Sequence, residues 1–190
     1  MKKQIILAST SPRRKELLEK AGVEFSVVPS DYEEDMSLDM PAQELVKFLS
    51  KGKAEALRTT HPHALIIGAD TLVVFEEHIL GKPHTVDRAR EMLHLLSGTV
   101  HSIFTGFTVI DSDTDKEFSK AIETKVWFRQ LSEEDIDQYV ATGEPLDRAG
   151  AYAIQGGGKI FVDHFEGDFS NAIGLPVNEV LTALREAEAL

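Results

Sequence analysis

Asp70 and Thr71 draw attention because of where they fall. They interrupt Ala64 to Phe75, a run that is otherwise nearly continuous in apolar and β-branched residues, the pattern of a strand buried on both faces. A carboxylate in such a strand is costly unless an ion pair, hydrogen bonds or a metal compensates it. Asp70 therefore either caps a neighbouring turn or marks a site where the strand opens. Gly68 and Ala69 keep bulk away just before it, leaving room for another backbone or a ligand. Positive charge is concentrated elsewhere: Arg13-Arg14-Lys15 follow the hydroxyls of Ser9, Thr10 and Ser11, Lys51 and Lys53 form a second cluster, and Lys82 stands between Gly81 and Pro83. Hydroxyl and guanidinium donors in one loop suit a phosphate or carboxylate. The acidic stretch Ser30 to Asp35, which contains Glu33, offers oxygen ligands of the kind a divalent cation takes.

These groups must be carried by regular elements. Lys3 to Ala8 reads as a strand, followed by a helix with Ser11 as N-cap, Pro12 in its first turn and Gly22 as its stop. The arginines then sit at the helix start, against the dipole, where cations are expected if both jointly hold an anion; otherwise they are simply solvated. Val23 to Pro29 reads as a second strand. Pro41 to Arg58 reads as an amphipathic helix with Leu45, Phe48, Leu49 and Leu57 on one face, and Gly52 as a mild weakness in it. A helix from Asp87 to Leu96, a hairpin of Val100 to Ile110 with Glu117 to Phe128, and a helix opening at Ser132 follow. Asp111 to Asp115 lacks the glycine and glutamate of an EF-hand and reads as a solvated hairpin tip. The stretch Gly143 to Lys159 is glycine-rich and contains Gln155, which suggests a shaped ligand loop. It is not a Walker A loop, because Ile160 follows Lys159 and opens a strand to His164. Asn171 to Pro176 reads as a loop and Val177 to Ala187 as the closing helix.

At 190 residues with 42% hydrophobic content, one large domain or two small lobes are expected, with a sizeable core that needs no covalent staples. The absence of cysteine excludes disulfides and thiolate metal sites. A net charge of −12 argues against a nucleic-acid partner. The apolar run after Lys2-Lys3 is too short for a signal segment and nothing approaches a membrane span, so a cytoplasmic protein is expected.

Taken in order, Ala8-Ser9-Thr10-Ser11-Pro12-Arg13-Arg14, Glu33, Lys53, Gly68-Ala69-Asp70-Thr71, Gly81-Lys82-Pro83, Gly143-Glu144-Pro145-x-Asp147-x-Ala149-Gly150-Ala151-Tyr152-x-Ile154-Gln155-Gly156 and Gly174-Leu175-Pro176 closely resemble the Maf family of nucleoside triphosphate pyrophosphatases. The resemblance spans nearly the whole chain. It implies one Maf-like domain over 1–190, with an α/β fold of the ITPase-like type: an elongated mixed β-sheet flanked by helices, two lobes around a cleft, usually as a homodimer. It also implies hydrolysis of a nucleoside triphosphate to the monophosphate and pyrophosphate with Mg2+ or Mn2+. On this resemblance Ser9, Arg13, Arg14, Lys53 and Lys82 contact the substrate, Glu33 and Asp70 hold the metal, and Asp70 is the best general base, either directly or through metal-bound water. Arg13, Thr71 and Gln155 together look like the branch that hydrolyses dTTP and UTP rather than the 7-methyl-GTP branch. A pyrimidine edge with carbonyl acceptors and one N–H is complemented by an amide such as Gln155 and a hydroxyl such as Thr71. The alternative is a nucleotide-sensing regulator of septum formation without essential catalysis. A HAD-type phosphatase fails, because its nucleophile would stand where the chain has Gly68.

Overall fold

The computed structural model describes residues 3–33, 35, 38–114 and 116–187. Glu34 of the acidic loop and Asp115 of the hairpin tip lie outside the described residues. In chain order the elements are β1 (Gln4–Leu7), α1 (Pro12–Lys20), β2 (Ser26–Val27), α2 (Ala42–Arg58), β3 (Ala64–Phe75), β4 (His78–Leu80), α3 (Val86–Leu96), β5 (Val100–Asp111), β6 (Glu117–Phe128) and α4 (Glu133–Ala141). Short 3-10 turns at Glu144–Asp147, Ala149–Ala151 and Gly157–Phe161 lead to β7 (Val162–Glu166), α5 (Phe169–Ile173) and α6 (Val177–Glu186). Among the described residues, seven strands form one mixed sheet in the order β2-β1-β3-β5-β6-β7, with β4 paired to β3. β1 runs parallel to β2 and β3, whereas β4 and β7 run antiparallel to β3 and β6. The fold is mixed α/β, as expected.

The chain packs as two compact units. The first takes the chain up to Thr71, then Thr105–Ile122, then the chain from Gly174 onward; the second takes Leu72–Phe104 and Glu123–Ile173. In the first unit, strand alternation divides the apolar residues between two faces. Ile5 and Leu7 of β1 with Leu65, Ile67 and Ala69 of β3 pack against Leu18 of α1 and Val180, Ala183 and Leu184 of α6. Their neighbours Ile6, Ala8, Ala64 and Ile66 pack against Ala54 and Leu57 of α2. Both faces of β3 are thus covered, which is why its sequence is apolar throughout rather than alternating. At the hairpin tip Lys3 Nζ reaches Asp111 Oδ1 at 2.5 Å and Asp113 Oδ2 at 3.1 Å, so these aspartates are paired rather than merely solvated.

Several elements depart from the sequence reading. The second strand shrinks to Ser26–Val27. Phe48, expected on the buried face of α2, is 44% exposed. The last strand begins at Val162 instead of Ile160, because Arg129 Nε donates to the Ile160 carbonyl at 3.0 Å and holds it in the preceding turn. Asn171 lies in α5 and not in a loop. Asp168 starts that helix by accepting the Ser170 N–H at 2.7 Å, and the buried Asn171 amide donates to the Ile103 carbonyl and Thr124 Oγ1.

The second unit centres on rings: Phe128 meets Tyr152 and Phe161 edge-on, and His101 stands against Phe128 and Tyr152. His101 is 2% exposed, and its Nε2 lies 2.7 Å from the Tyr152 hydroxyl. Its Nδ1 is a buried atom with no hydrogen-bond partner among the described residues. Burial lowers the His101 pKa to about 4 from an ordinary 6.5. The unfolded chain therefore takes up this proton first as pH falls. The contribution is intact above pH 6.5 and is lost progressively as pH falls towards 4, by about 3 kcal/mol in all. Urea melts at pH 7 and 4.5 should show this loss, and His101→Gln should flatten it; equal acid sensitivity in the variant would reject the assignment.

Candidate active site

Adjacent positions on a strand point to opposite faces, and this separates the two polar residues of β3. Gly68 and Asp70 share the α2 side. A Cβ at Gly68 would fall 2.0 Å from the Ser50 carbonyl oxygen, so the α2 backbone itself occupies the space that glycine leaves. With the helix that close, Lys53 reaches across: its Nζ stands 2.6 Å from Asp70 Oδ1 and 3.4 Å from the Ala69 carbonyl. The two side chains are only 12% and 9% exposed. Asp70 is thus compensated by a largely desolvated ion pair. Removing either partner from such a pair leaves a charge without its counterion, at about 3–5 kcal/mol when burial is complete.

Thr71 faces the α1 side. Arg14, in the first turn of α1, donates from Nε to the Gly174 carbonyl at 2.8 Å, from Nη2 to Thr71 Oγ1 at 2.9 Å and from Nη1 to Ser9 Oγ at 3.3 Å. Ser9 Oγ also accepts the Ser11 N–H at 3.2 Å, and Ser11 caps α1 by accepting the Arg14 N–H at 3.5 Å. Thr71 Oγ1 lies 3.0 Å from Thr105 Oγ1. One guanidinium fork therefore locks the Ser9 to Ser11 loop to β3 and to the turn before α6. The neighbouring Arg13 is half-buried.

Glu33 is exposed, in the loop before α2. Its neighbour Tyr32 anchors that loop, because the Tyr32 ring lies where a Cβ at Gly52 would be, 2.3 Å from Cζ. Gly52 is a seat for this ring rather than a weakness of the helix. Among the described residues no group of three His, Cys, Asp or Glu side chains could hold a metal. Asp70 and Glu33 are carboxylates, the donor type of which magnesium commonly takes one or two, completing its shell with water and substrate phosphates.

In the second unit Lys82 is exposed and pairs with Asp147 at 2.6 Å. The Lys82 ammonium holds the Asp147 carboxyl below its ordinary range. The loop bearing Lys82 is tied down where the Gly81 carbonyl accepts the Gly150 N–H at 3.2 Å. Gln155 is exposed, in the turn between Ile154 and Gly156. Within the first unit, then, Lys53 meets Asp70, and Ser9, Arg14 and Thr71 meet one another. The carbonyl of Gly174 and the hydroxyl of Thr105 were missed by sequence reasoning. Gly174-Leu175-Pro176 carried a signal as a motif without an assigned task, whereas Thr105 had none inside a long β-strand.

The fold and this polar cluster define a class: a mixed α/β protein with a part-buried lysine–carboxylate pair on one face of its central strand and an arginine-braced hydroxyl loop on the other. A HAM1 protein from Coxiella burnetii has a similar fold, with a TM-score of 0.53 at 16% identity, covering 96% of this chain and 98% of that one. The family model described as Maf-like protein matches residues 4–187. A Bacillus cereus protein named dTTP/UTP pyrophosphatase is 45% identical, covering 97% of this chain and 90% of that protein. One of the same name from Bacillus cytotoxicus is 44% identical over 98% and 97% respectively. The chain belongs to the Maf family. Among the described residues no helix is long and apolar enough to cross a membrane.

Proposed function

We propose that this protein is a nucleoside triphosphate pyrophosphatase acting on dTTP and UTP, as the names of its relatives say of them. The observation that carries the reading is the Lys53–Asp70 pair. A lysine at 2.6 Å keeps Asp70 ionised in an apolar strand, which is the form a general base needs. Water attacks the α-phosphorus, Asp70 accepts its proton, the bond from that phosphorus to the bridging oxygen breaks, and pyrophosphate leaves. The barrier to such a transfer is chiefly positioning and charge. Arg13, Lys53 and Lys82 supply positive charge to the triphosphate, Ser9 donates from the loop, and Arg14 both adds charge and fixes Ser9 and Thr71. Glu33 and Asp70 would hold Mg2+ or Mn2+, which when bound offsets phosphate charge. Gln155 complements the pyrimidine edge, and Thr71 acts on base choice through Arg14, to which its hydroxyl is already bonded. The family resemblance further supports one domain of two lobes around a cleft, a cytoplasmic location and a homodimer.

Pyrophosphate release from dTTP, UTP, CTP and GTP, with Mg2+ or Mn2+ and then with chelator, tests this. Turnover should be fastest with dTTP and UTP and vanish on chelation. Gln155→Glu should shrink the pyrimidine preference roughly ten-fold or more, since an amide that pairs with the base is replaced by a charge. Relative rates unchanged across the panel would reject Gln155 as the base contact. Nucleotide binding without turnover would favour the regulator of septum formation instead.

A further inference from the structure

The glycine-rich loop is held from outside itself. Tyr139, on the buried face of α4, is 4% exposed and packs edge-on against Phe161 at 5.0 Å. Its hydroxyl oxygen accepts the Ala153 N–H at 3.1 Å. Burial first, and the nearby Glu144 carboxylate among the further causes, push the Tyr139 pKa up, so the hydroxyl keeps its proton. Glu144 in turn accepts the Gly157 N–H at 2.8 Å on Oε2. Ala153 and Gly157 are the two ends of a short span with Gln155 at its centre. A tyrosine and a glutamate thus grip the backbone on either side of Gln155.

The glycines show how close the grip is. A Cβ at Gly156 would fall 2.1 Å from Glu144 Oε1, and one at Gly157 2.9 Å from Tyr139 Cε2. These glycines let the carboxylate and the ring press directly on the loop backbone. Every residue in the arrangement belongs to the second unit.

We propose that Tyr139 and Glu144 are positioning residues that set the orientation of Gln155 towards the nucleobase, and so set base preference without touching the nucleotide. The inference rests on the reading of Gln155 as the base contact. A hydrogen-bonding side chain discriminates only while its donor and acceptor stay aligned with the base edge, and small displacements of such a group are expensive.

Four variants test it: Glu144→Ala, Glu144→Gln, Tyr139→Phe and Gln155→Glu, each assayed for kcat and KM with dTTP and with CTP. Glu144→Ala and Tyr139→Phe should lower the dTTP-to-CTP ratio of kcat/KM roughly ten-fold. Glu144→Gln should restore most of it, because an amide oxygen still accepts from the Gly157 N–H. Amide exchange at Ala153 and Gly157 should quicken in Glu144→Ala and Tyr139→Phe but stay slow in Glu144→Gln. If the ratio moves with Gln155→Glu but not with Glu144→Ala or Tyr139→Phe, the positioning role is overturned while the base reading stands. If none of them moves it, the reading of Gln155 falls and takes this inference with it. Should Glu144→Ala fail to fold, Tyr139→Phe, which removes a single oxygen, decides alone.

Discussion

Asp70→Asn is expected to lower kcat for dTTP about 10²–10⁴-fold, the range over which positioned general bases contribute. The substitution keeps the shape of the side chain and leaves an amide oxygen within reach of Lys53, so the loss is of basicity rather than of packing. Stability should fall by a smaller amount, because Lys53, 2.6 Å from Asp70 and about as shielded from water, no longer has its counter-charge. Steady-state rates on both pyrimidine triphosphates, together with a urea melt, check the two effects separately. A rate within a few-fold of wild type at unchanged stability would remove Asp70 from the reaction.

Arg14→Lys is the second large effect. The guanidinium places Nε, Nη1 and Nη2 on the Gly174 carbonyl, Ser9 and Thr71 at 2.8, 3.3 and 2.9 Å. An ammonium keeps the charge but has no planar fork and cannot meet three divergent acceptors from one stem. Loss of two such bonds should cost about 2–3 kcal/mol of stability. The loop bearing Ser9 then loses its register, and kcat/KM should drop about 10²-fold, as when a positioning contact shifts by an ångström. Equal stability and turnover in the lysine variant would show that charge alone matters at this position.

The parts of this architecture written in local pattern were legible from the chain. The central strand has the expected bounds, Ala64–Phe75, because an apolar β-branched run enclosed by turn residues admits little else. Ser11, Pro12 and Gly22 likewise mark the ends of α1. What local pattern cannot express is which non-neighbouring groups meet. Phe48 follows the helical period of α2, yet it stays largely exposed among the described residues. Gly52 reads as a helix weakness until the Tyr32 ring is placed on it. Neighbouring positions on a strand face opposite ways, as Asp70 and Thr71 do. That Lys53 waits on one side and Arg14 on the other is a tertiary fact. The glycine-rich loop was recognisable as shaped, but it is held by Tyr139, which belongs to no motif, and by Glu144, whose place in the Gly143-Glu144-Pro145 motif carried no assigned task.

The threading of the first unit bears on how the protein is made. Its core joins Ile5 and Leu7 to Leu175, Val180 and Leu184, and the whole second unit is translated in between. At roughly 5–20 residues per second, β1 emerges from the ribosome on the order of ten seconds or more before α6 can cover it. Arg14 must wait as long for the Gly174 carbonyl that fixes its fork. The nascent chain therefore carries the basic loop without its anchor until Gly174 has been made, and the Arg14 fork closes late in folding.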